Sequence, residues 1–143
     1  MKIPLRENKS LKLKNYQLNL LMRILDVFLH GTECRNRNKF VKRLLAQAQT
    51  ADQERINILK GLAVKDEKGE PIIKDGNFDL GENRAEFEKQ YRELMNEEFI
   101  VDNLESTKEE LATIKKLVLE SKIDLNYADG EVYGQICEEL GED

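Results

Sequence analysis

Apolar side chains in residues 16–30 recur at the spacing of one helix face. They occupy positions i, i+3, i+4 and i+7, the pattern of an amphipathic α-helix. These residues are Leu18, Leu21, Met22, Leu25, Phe28 and Leu29. Gly31 follows, and glycine is common just past a helix C-terminus. We therefore predict a first helix over residues 16–30 that ends at Gly31.

A second apolar stripe, formed by Leu20, Ile24 and Val27, runs beside the first. A helix that is apolar over so wide an arc lies either at the centre of the core or against a partner. A domain of this size, with about five helices and a small sheet, rarely surrounds one helix completely. We therefore predict that these three residues line an apolar interface, with a second copy in a homo-oligomer or with another protein.

Residues 33–62 predict one long helix, capped at its start by Thr32. Its apolar face is strong at both ends but is held in the middle by alanines alone, which leaves room for a break near Thr50. The face consists of Phe40, Leu44, Leu45, Ala48, Ala51, Ile58, Leu59 and Leu62.

The remaining elements are short. Asp75-Gly76 between two apolar runs predicts a β-hairpin near residues 72–80. Alternation predicts strands at residues 2–5, 99–101 and 123–127, and periodicity predicts helices over residues 83–97, after the capping boxes at 106–110, and after Gly130. The last two helices carry these apolar residues: Leu111, Ile114, Leu117 and Val118, then Val132, Tyr133, Ile136, Cys137 and Leu140.

These elements predict an α+β fold that is predominantly helical, with about five helices, one of them long, and a small sheet of short strands. The chain has 143 residues, the size of one ordinary domain, and has no internal repeat or low-complexity linker. We predict a single domain over residues 1–143. The longest apolar stretch, residues 18–29, is too short and too charged to cross a bilayer, so we expect no membrane partner.

Charge is distributed unequally along the chain. Residues 1–60 carry 13 Lys/Arg and 5 Asp/Glu, a net charge of +8, whereas residues 61–143 carry 10 and 23, a net charge of −13. The two halves either neutralise each other in the fold or present surfaces to partners. An acidic half of this kind can imitate nucleic-acid phosphates in a basic groove, so one functional hypothesis is a small inhibitor of a bacterial defence nuclease.

A basic cluster opens the long helix. It consists of Arg35, Arg37, Lys39, Lys42 and Arg43. Four of these cations, all but Arg37, fall at i, i+4, i+7 and i+8, so one helix face carries them. This face is either a solvated surface or a binding site for anions, whether nucleic-acid phosphates or an acidic protein.

No grouping of residues in the sequence indicates catalysis, a metal or a cofactor. An EF-hand loop starting at Asp124 would lack its ligand, glycine and glutamate at Ala128, Asp129 and Gln135. His30, the one histidine, is expected to interact with the end of the first helix. The two cysteines, far apart in sequence, are expected to be reduced thiols.

Four segments resemble a family of small uncharacterised proteins encoded by tailed bacteriophages and prophages of Gram-positive bacteria. They are residues 35–45 (RNRNKFVKRLL), 64–78 (VKDEKGEPIIKDGNF), 83–98 and 130–138 (GEVYGQICE). The resemblance implies a phage-encoded protein and supplies no catalytic residue. We therefore expect a non-enzymatic phage accessory protein that binds a phage or host protein, in the host cytoplasm or on the virion. The nuclease inhibitor and nucleic-acid binding through residues 35–43 stay open as alternatives.

Overall fold

The computed structural model describes residues 10–141 and confirms a mostly helical α+β fold, with 63% of residues helical. The first half contains strand β1 (Leu11–Lys14), a 3₁₀ turn (Asn15–Gln17), and helices α1 (Leu18–Leu25) and α2 (Gly31–Leu62). The second half contains β2 (Ile73–Lys74), β3 (Asn77–Phe78), a 3₁₀ turn (Gly81–Asn83), α3 (Arg84–Met95), β4 (Glu98–Val101), α4 (Lys108–Leu119) and α5 (Tyr127–Glu139). The strand predicted at residues 2–5 lies outside the described residues.

The described chain forms two compact units. The first contains residues 10–48 and 98–141, and the second is Gln49–Glu97. The boundary falls inside α2, which continues through Thr50 without the break that the sequence allowed. The prediction of a single domain stays a prediction.

The first unit is built on a two-stranded antiparallel ladder between β1 and β4, in which Leu13 faces Phe99. Because side chains alternate along a strand, Leu11 and Val101 share the face of Leu13 and are buried with it. Helices α1, α2, α4 and α5 complete the core, whose buried members are Leu11, Leu13, Leu18, Leu20, Leu21, Ile24, Leu25, Phe40, Leu44, Val101, Ile114, Val118, Ile136 and Cys137.

Helix α1 is shorter than the sequence predicted. It ends at Leu25, so the segment 26–30 is an irregular connection and Gly31 begins α2 instead of ending α1. Gly31 has φ of +65°, a conformation that glycine adopts without the steric cost of a Cβ. The predicted helix over 16–30 is therefore wrong beyond Leu25.

The second unit contains the C-terminal part of α2, the hairpin and α3. The hairpin predicted near 72–80 is confirmed as β2 and β3, joined by Asp75 and Gly76, which both have positive φ as a type I′ turn requires. The last carbonyls of α2 are capped by side chains. Lys65 Nζ donates to the carbonyl oxygens of Lys60 (2.6 Å) and Ala63 (2.8 Å). Lys65 therefore satisfies backbone carbonyls at the C-terminal end of α2.

Two features of the C-terminal segment differ from the prediction. The Thr107 hydroxyl donates to the Asp102 carbonyl oxygen (2.6 Å) and accepts from the Leu104 N–H (2.9 Å), so it closes the preceding loop and forms no capping box. Residues 123–126 are irregular instead of a strand, and α5 begins at Tyr127, before Gly130, because Asn126 caps it by accepting from the N–H of Asp129 (2.8 Å). None of the described helices is long and apolar enough to cross a bilayer.

Candidate interaction surface

The apolar stripe of Leu20, Ile24 and Val27 does not form one surface. Leu20 and Ile24 are 5% and 2% exposed and belong to the core of the first unit. The prediction that they line an interface is therefore wrong, because α4 and α5 pack against α1 and both side chains are buried within the unit. Val27 is 45% exposed, but it lies beyond the end of the helix.

The connection between α1 and α2 carries the most exposed large apolar side chain of the described chain. Phe28 is fully exposed and stands next to the half-exposed Val27. Asp26 and His30, on either side, are also exposed, so His30 does not sit at the end of a helix as predicted. Helical periodicity placed Phe28 on the core face, so the sequence pattern did not indicate that its side chain would be exposed to solvent.

Arg37 holds this connection from the second turn of α2. Its Nη1 donates to the carbonyl oxygens of Leu25 (2.5 Å) and Val27 (2.9 Å), and its Nε donates to Asn38 Oδ1 (2.7 Å). A cation that binds two carbonyls near a helix C-terminus satisfies groups that the ended helix leaves without partners. Arg37, predicted as a member of the basic cluster, therefore holds this connection instead.

Arg43 also leaves the predicted basic face. Its guanidinium makes a forked contact with Glu110 on α4, Nε to Oε2 at 2.8 Å and Nη2 to Oε1 at 3.3 Å. The carboxylate is 4% exposed and the arginine side chain 43%. The hydrogen bond to Glu110 raises the pKa of Arg43 above its ordinary value, against the opposing effect of burial. Forked geometry of this kind is specific to arginine.

The other three cations of the cluster, Arg35, Lys39 and Lys42, are exposed and make no hydrogen bond or ion pair within residues 10–141. At 3.6 residues per turn they fall within about 60° of one another around α2. The structure thus divides the predicted five-residue cluster into two cations that hold the fold and three that face solvent together.

The two oppositely charged halves of the sequence are partly paired. Arg23 Nη1 lies 3.1 Å from Asp129 Oδ2, and the Arg43–Glu110 pair joins the same two halves. One pair has the opposite polarity, with Lys116 Nζ 2.5 Å from Glu33 Oε2. Mutual neutralisation within the fold, one of the two explanations offered for the charge asymmetry, is therefore present at two contacts of the described chain.

An open polar cleft of about 490 Å³ lies beside β1 and α5 in the first unit. Its walls mix amines, amides and carboxylates, and consist of Lys12, Lys14, Tyr16, Gln17, Glu98, Gln135, Glu138 and Glu139. Gln135 Oε1 accepts from Tyr16 OH (2.6 Å) and Gln17 Nε2 (2.9 Å), and Glu139 Oε1 accepts from the Lys12 N–H (3.0 Å). Its lining comes from three separate segments of the chain, so sequence spacing gave no sign of the cleft.

The remaining chemical groups are dispersed. Cys34 is partly exposed, Cys137 is buried, and neither forms a disulfide. Within the part of the chain that the structure describes, no three His, Cys, Asp or Glu side chains are grouped so that they could hold a metal ion.

No protein-family model, curated protein or solved structure matches this chain.

Proposed function

We propose that the protein is a non-enzymatic accessory protein that acts by binding another protein, with Val27 and Phe28 as the anchor of the contact. The observation that carries this proposal is the full exposure of Phe28 on a connection whose backbone is held by Arg37. Burying such a side chain against a partner contributes roughly 1.5–3 kcal/mol, because its apolar area leaves water.

Aromatic side chains dominate the energetics of protein interfaces, since they bury a large area with few rotatable bonds. Phe28 offers its whole ring, and Val27 extends the apolar area along the backbone. Together they form a small apolar tip between the exposed polar residues Asp26 and His30. An apolar centre with a polar surround is the usual arrangement of a protein contact.

Arg37 supports the same proposal through entropy. A loop that must be ordered on binding loses affinity by the cost of that ordering. The two hydrogen bonds from Arg37 to Leu25 and Val27 fix the backbone immediately before Phe28 in the free protein. Part of the backbone entropy that binding would otherwise remove is therefore already lost in the free protein.

The resemblance to phage and prophage proteins supplies the setting of the proposal. The partner would be a phage protein in virion assembly or a host protein under regulation, met in the host cytoplasm or on the virion. No residue within 10–141 is assigned a catalytic role in this proposal.

Site-specific photo-crosslinking tests the anchor directly. A benzoylphenylalanine in place of Phe28 should capture a discrete protein in infected cells. The matched control is the same replacement at Leu104, an exposed apolar residue (57%) in the loop between β4 and α4. Capture by position 28 and not by position 104 supports the proposal, whereas equal patterns from both positions contradict it.

Truncation of the same side chain gives the expected magnitude. Phe28→Ser should weaken binding of the captured partner by about 10- to 30-fold, as loss of an interface hot spot of about 1.4–2 kcal/mol implies. Leu104→Ser should leave it unchanged. Affinities of the purified partner for the two variants, measured by calorimetry, decide between these outcomes, and an unchanged affinity for Phe28→Ser would overturn the proposal.

A further inference from the structure

We propose that the solvent face of α2 formed by Arg35, Lys39 and Lys42 binds the phosphate backbone of duplex nucleic acid. This inference goes beyond the protein-binding function and does not depend on it, because it rests on a different set of side chains. The inference rests on three exposed cations that lie on one face of α2, in a segment that has no unpaired carboxylate.

The three cations form a short row along the helix. They occupy positions i, i+4 and i+7, so the rise of 1.5 Å per residue separates them along the axis by about 6 Å and then about 4.5 Å. All three side chains are exposed and lack partners within residues 10–141. At about 3.4 Å of axis per phosphate on each strand, a row about 10 Å long spans about three phosphates of one strand.

No acidic side chain of the same segment neutralises the row. Between Gly31 and Ala48, Glu33 is the one carboxylate in the sequence, and it is paired with Lys116 on α4. The fold also engages the guanidinium groups of Arg37 and Arg43, which bind backbone carbonyls and Glu110. The positive face is therefore limited to three residues, and it persists in a chain whose net charge is −5.

The composition of this face favours phosphate over an acidic protein. Protein interfaces are depleted in lysine and are centred on apolar or aromatic anchors. Leu45, an exposed apolar side chain close by in sequence, lies about 60° to 120° around the helix from the three cations. Phosphate contacts, in contrast, draw their charge neutralisation from Lys and Arg and need no apolar anchor.

Duplex is favoured over single-stranded nucleic acid for a related reason. Single-stranded binding relies on aromatic side chains on which bases stack. Phe40, the one aromatic residue among the cations, is fully buried in the core. Cations without an aromatic side chain beside them contact the phosphates and not the bases, so we expect binding without sequence preference.

The number of cations fixes the expected salt dependence. Three phosphate contacts release about three counterions, which gives a slope of about −2.7 for log K against log salt concentration. Few contacts and a net negative protein make the binding weak, with a dissociation constant on the order of 10⁻⁴ M at about 50 mM salt.

Fluorescence anisotropy with a labelled duplex of about 20 base pairs, a length that covers about two helical turns, tests the inference on the full chain. The test variant is Arg35→Glu with Lys39→Glu and Lys42→Glu. The matched control is Lys108→Glu with Lys115→Glu and Lys122→Glu, because these lysines are also exposed and without partners in the described chain and the net charge changes equally. Thermal melts of both variants establish that each is folded.

We expect the wild type to bind with the stated slope, the test variant to lose at least 10-fold in affinity, and the control to lose no more than about 3-fold. An equal loss in both variants would mean that the net charge of the protein controls binding, and would overturn the assignment. Absence of binding by the wild type at about 50 mM salt would also overturn it. A photo-crosslinker at Lys39 that captures protein instead of nucleic acid in cells would identify the face as a protein-binding surface and also overturn it. Phe28→Ser should leave duplex binding unchanged, so failure here is distinguishable from failure of the protein-binding proposal.

Discussion

The two units of the chain differ in what their interiors contain. In the first unit, nine large side chains, among them Phe40, Leu13 and Ile114, are almost completely buried. In the second unit the buried apolar residues are Ala51, Ala63, Leu80 and Leu94, of which two are alanines. Larger residues of that unit, including Phe87, remain partly exposed. The first unit is therefore stabilised mainly by apolar burial, and the second depends more on local hydrogen bonds.

This difference is related to the unit in which the proposed interaction residues lie. In the first unit a well-filled core supports exposed features that contribute nothing to packing, such as Phe28 and the row from Arg35 to Lys42. In the second unit the hairpin and the capped end of α2 use their polar groups internally, as Lys65 does. The proposed interaction residues accordingly all lie in the first unit.

The largest expected effect comes from a matched pair of phenylalanine truncations. Phe40→Ala should cost about 3–5 kcal/mol of unfolding free energy, because the side chain is fully buried and leaves a cavity. Phe87→Ala should cost about 1–2 kcal/mol, since its ring is partly exposed and stacks on Tyr91 at 5.6 Å between centroids. Urea denaturation of both variants measures the difference, and equal costs would show that the contrast between the units is wrong.

A smaller effect is expected from a matched pair of arginine substitutions. Arg43→Met should cost about 1–3 kcal/mol, because it leaves the Glu110 carboxylate buried without its partner. Arg55→Met should change the unfolding free energy by no more than about 0.5 kcal/mol, since the pair of Arg55 with Asp52 is an exposed contact along one helix.

The double variant Arg43→Met with Glu110→Met checks the cause of the first cost. It should recover much of the loss, because neither partner then remains buried and charged. Equilibrium unfolding in urea gives all four values. If Arg43→Met is as mild as Arg55→Met, the Glu110 contact contributes no more than a surface pair.

The smallest effect concerns pH. The hydrogen bond and charge of Glu33 raise the pKa of Lys116 above its ordinary value of 10.5. A group whose pKa is raised in the folded state stabilises the fold fully below the unfolded pKa, and this contribution is lost as pH rises through the folded value. The unfolding free energy of the wild type should therefore fall toward that of Lys116→Met as the pH rises above the ordinary lysine pKa and through the raised one. Urea titrations at several pH values test this, and a constant difference between the two proteins across that range would contradict it.

Helix and hairpin positions were largely predictable from the sequence. Residues 33–62 predicted α2 to within two residues of its observed start, because a long amphipathic period is a strong local signal. The predicted cap, Thr32, is wrong, since that residue lies inside the helix. Asp75-Gly76 predicted the hairpin, since few residues adopt positive φ so readily. The four residues of β1 gave too short an alternation to indicate a strand until β4 was beside them.

The sequence did not predict where α1 ends, and therefore did not predict that the Phe28 side chain is exposed. Periodicity continues through Phe28 and Leu29, so the sequence favours a longer helix. At the observed end of the helix, the Arg37 guanidinium donates to the Leu25 and Val27 carbonyl oxygens, a contact that helical periodicity does not show. Phe28 is exposed because it lies beyond the end of the helix, where a residue twelve positions from Leu25 holds the backbone.

The sequence by itself therefore determined the fold class, the long helix, the hairpin and the presence of five cations at the start of α2. Tertiary structure alone decided which of those cations are available, because Glu110 and the Leu25 carbonyl come from elements that the local pattern does not connect to α2. It also decided that Leu20 and Ile24 are core while Phe28 is surface. The physical reason is the same in each case: periodicity shows that a helix has an apolar or charged face, whereas the partner of that face is set by packing over long sequence separations.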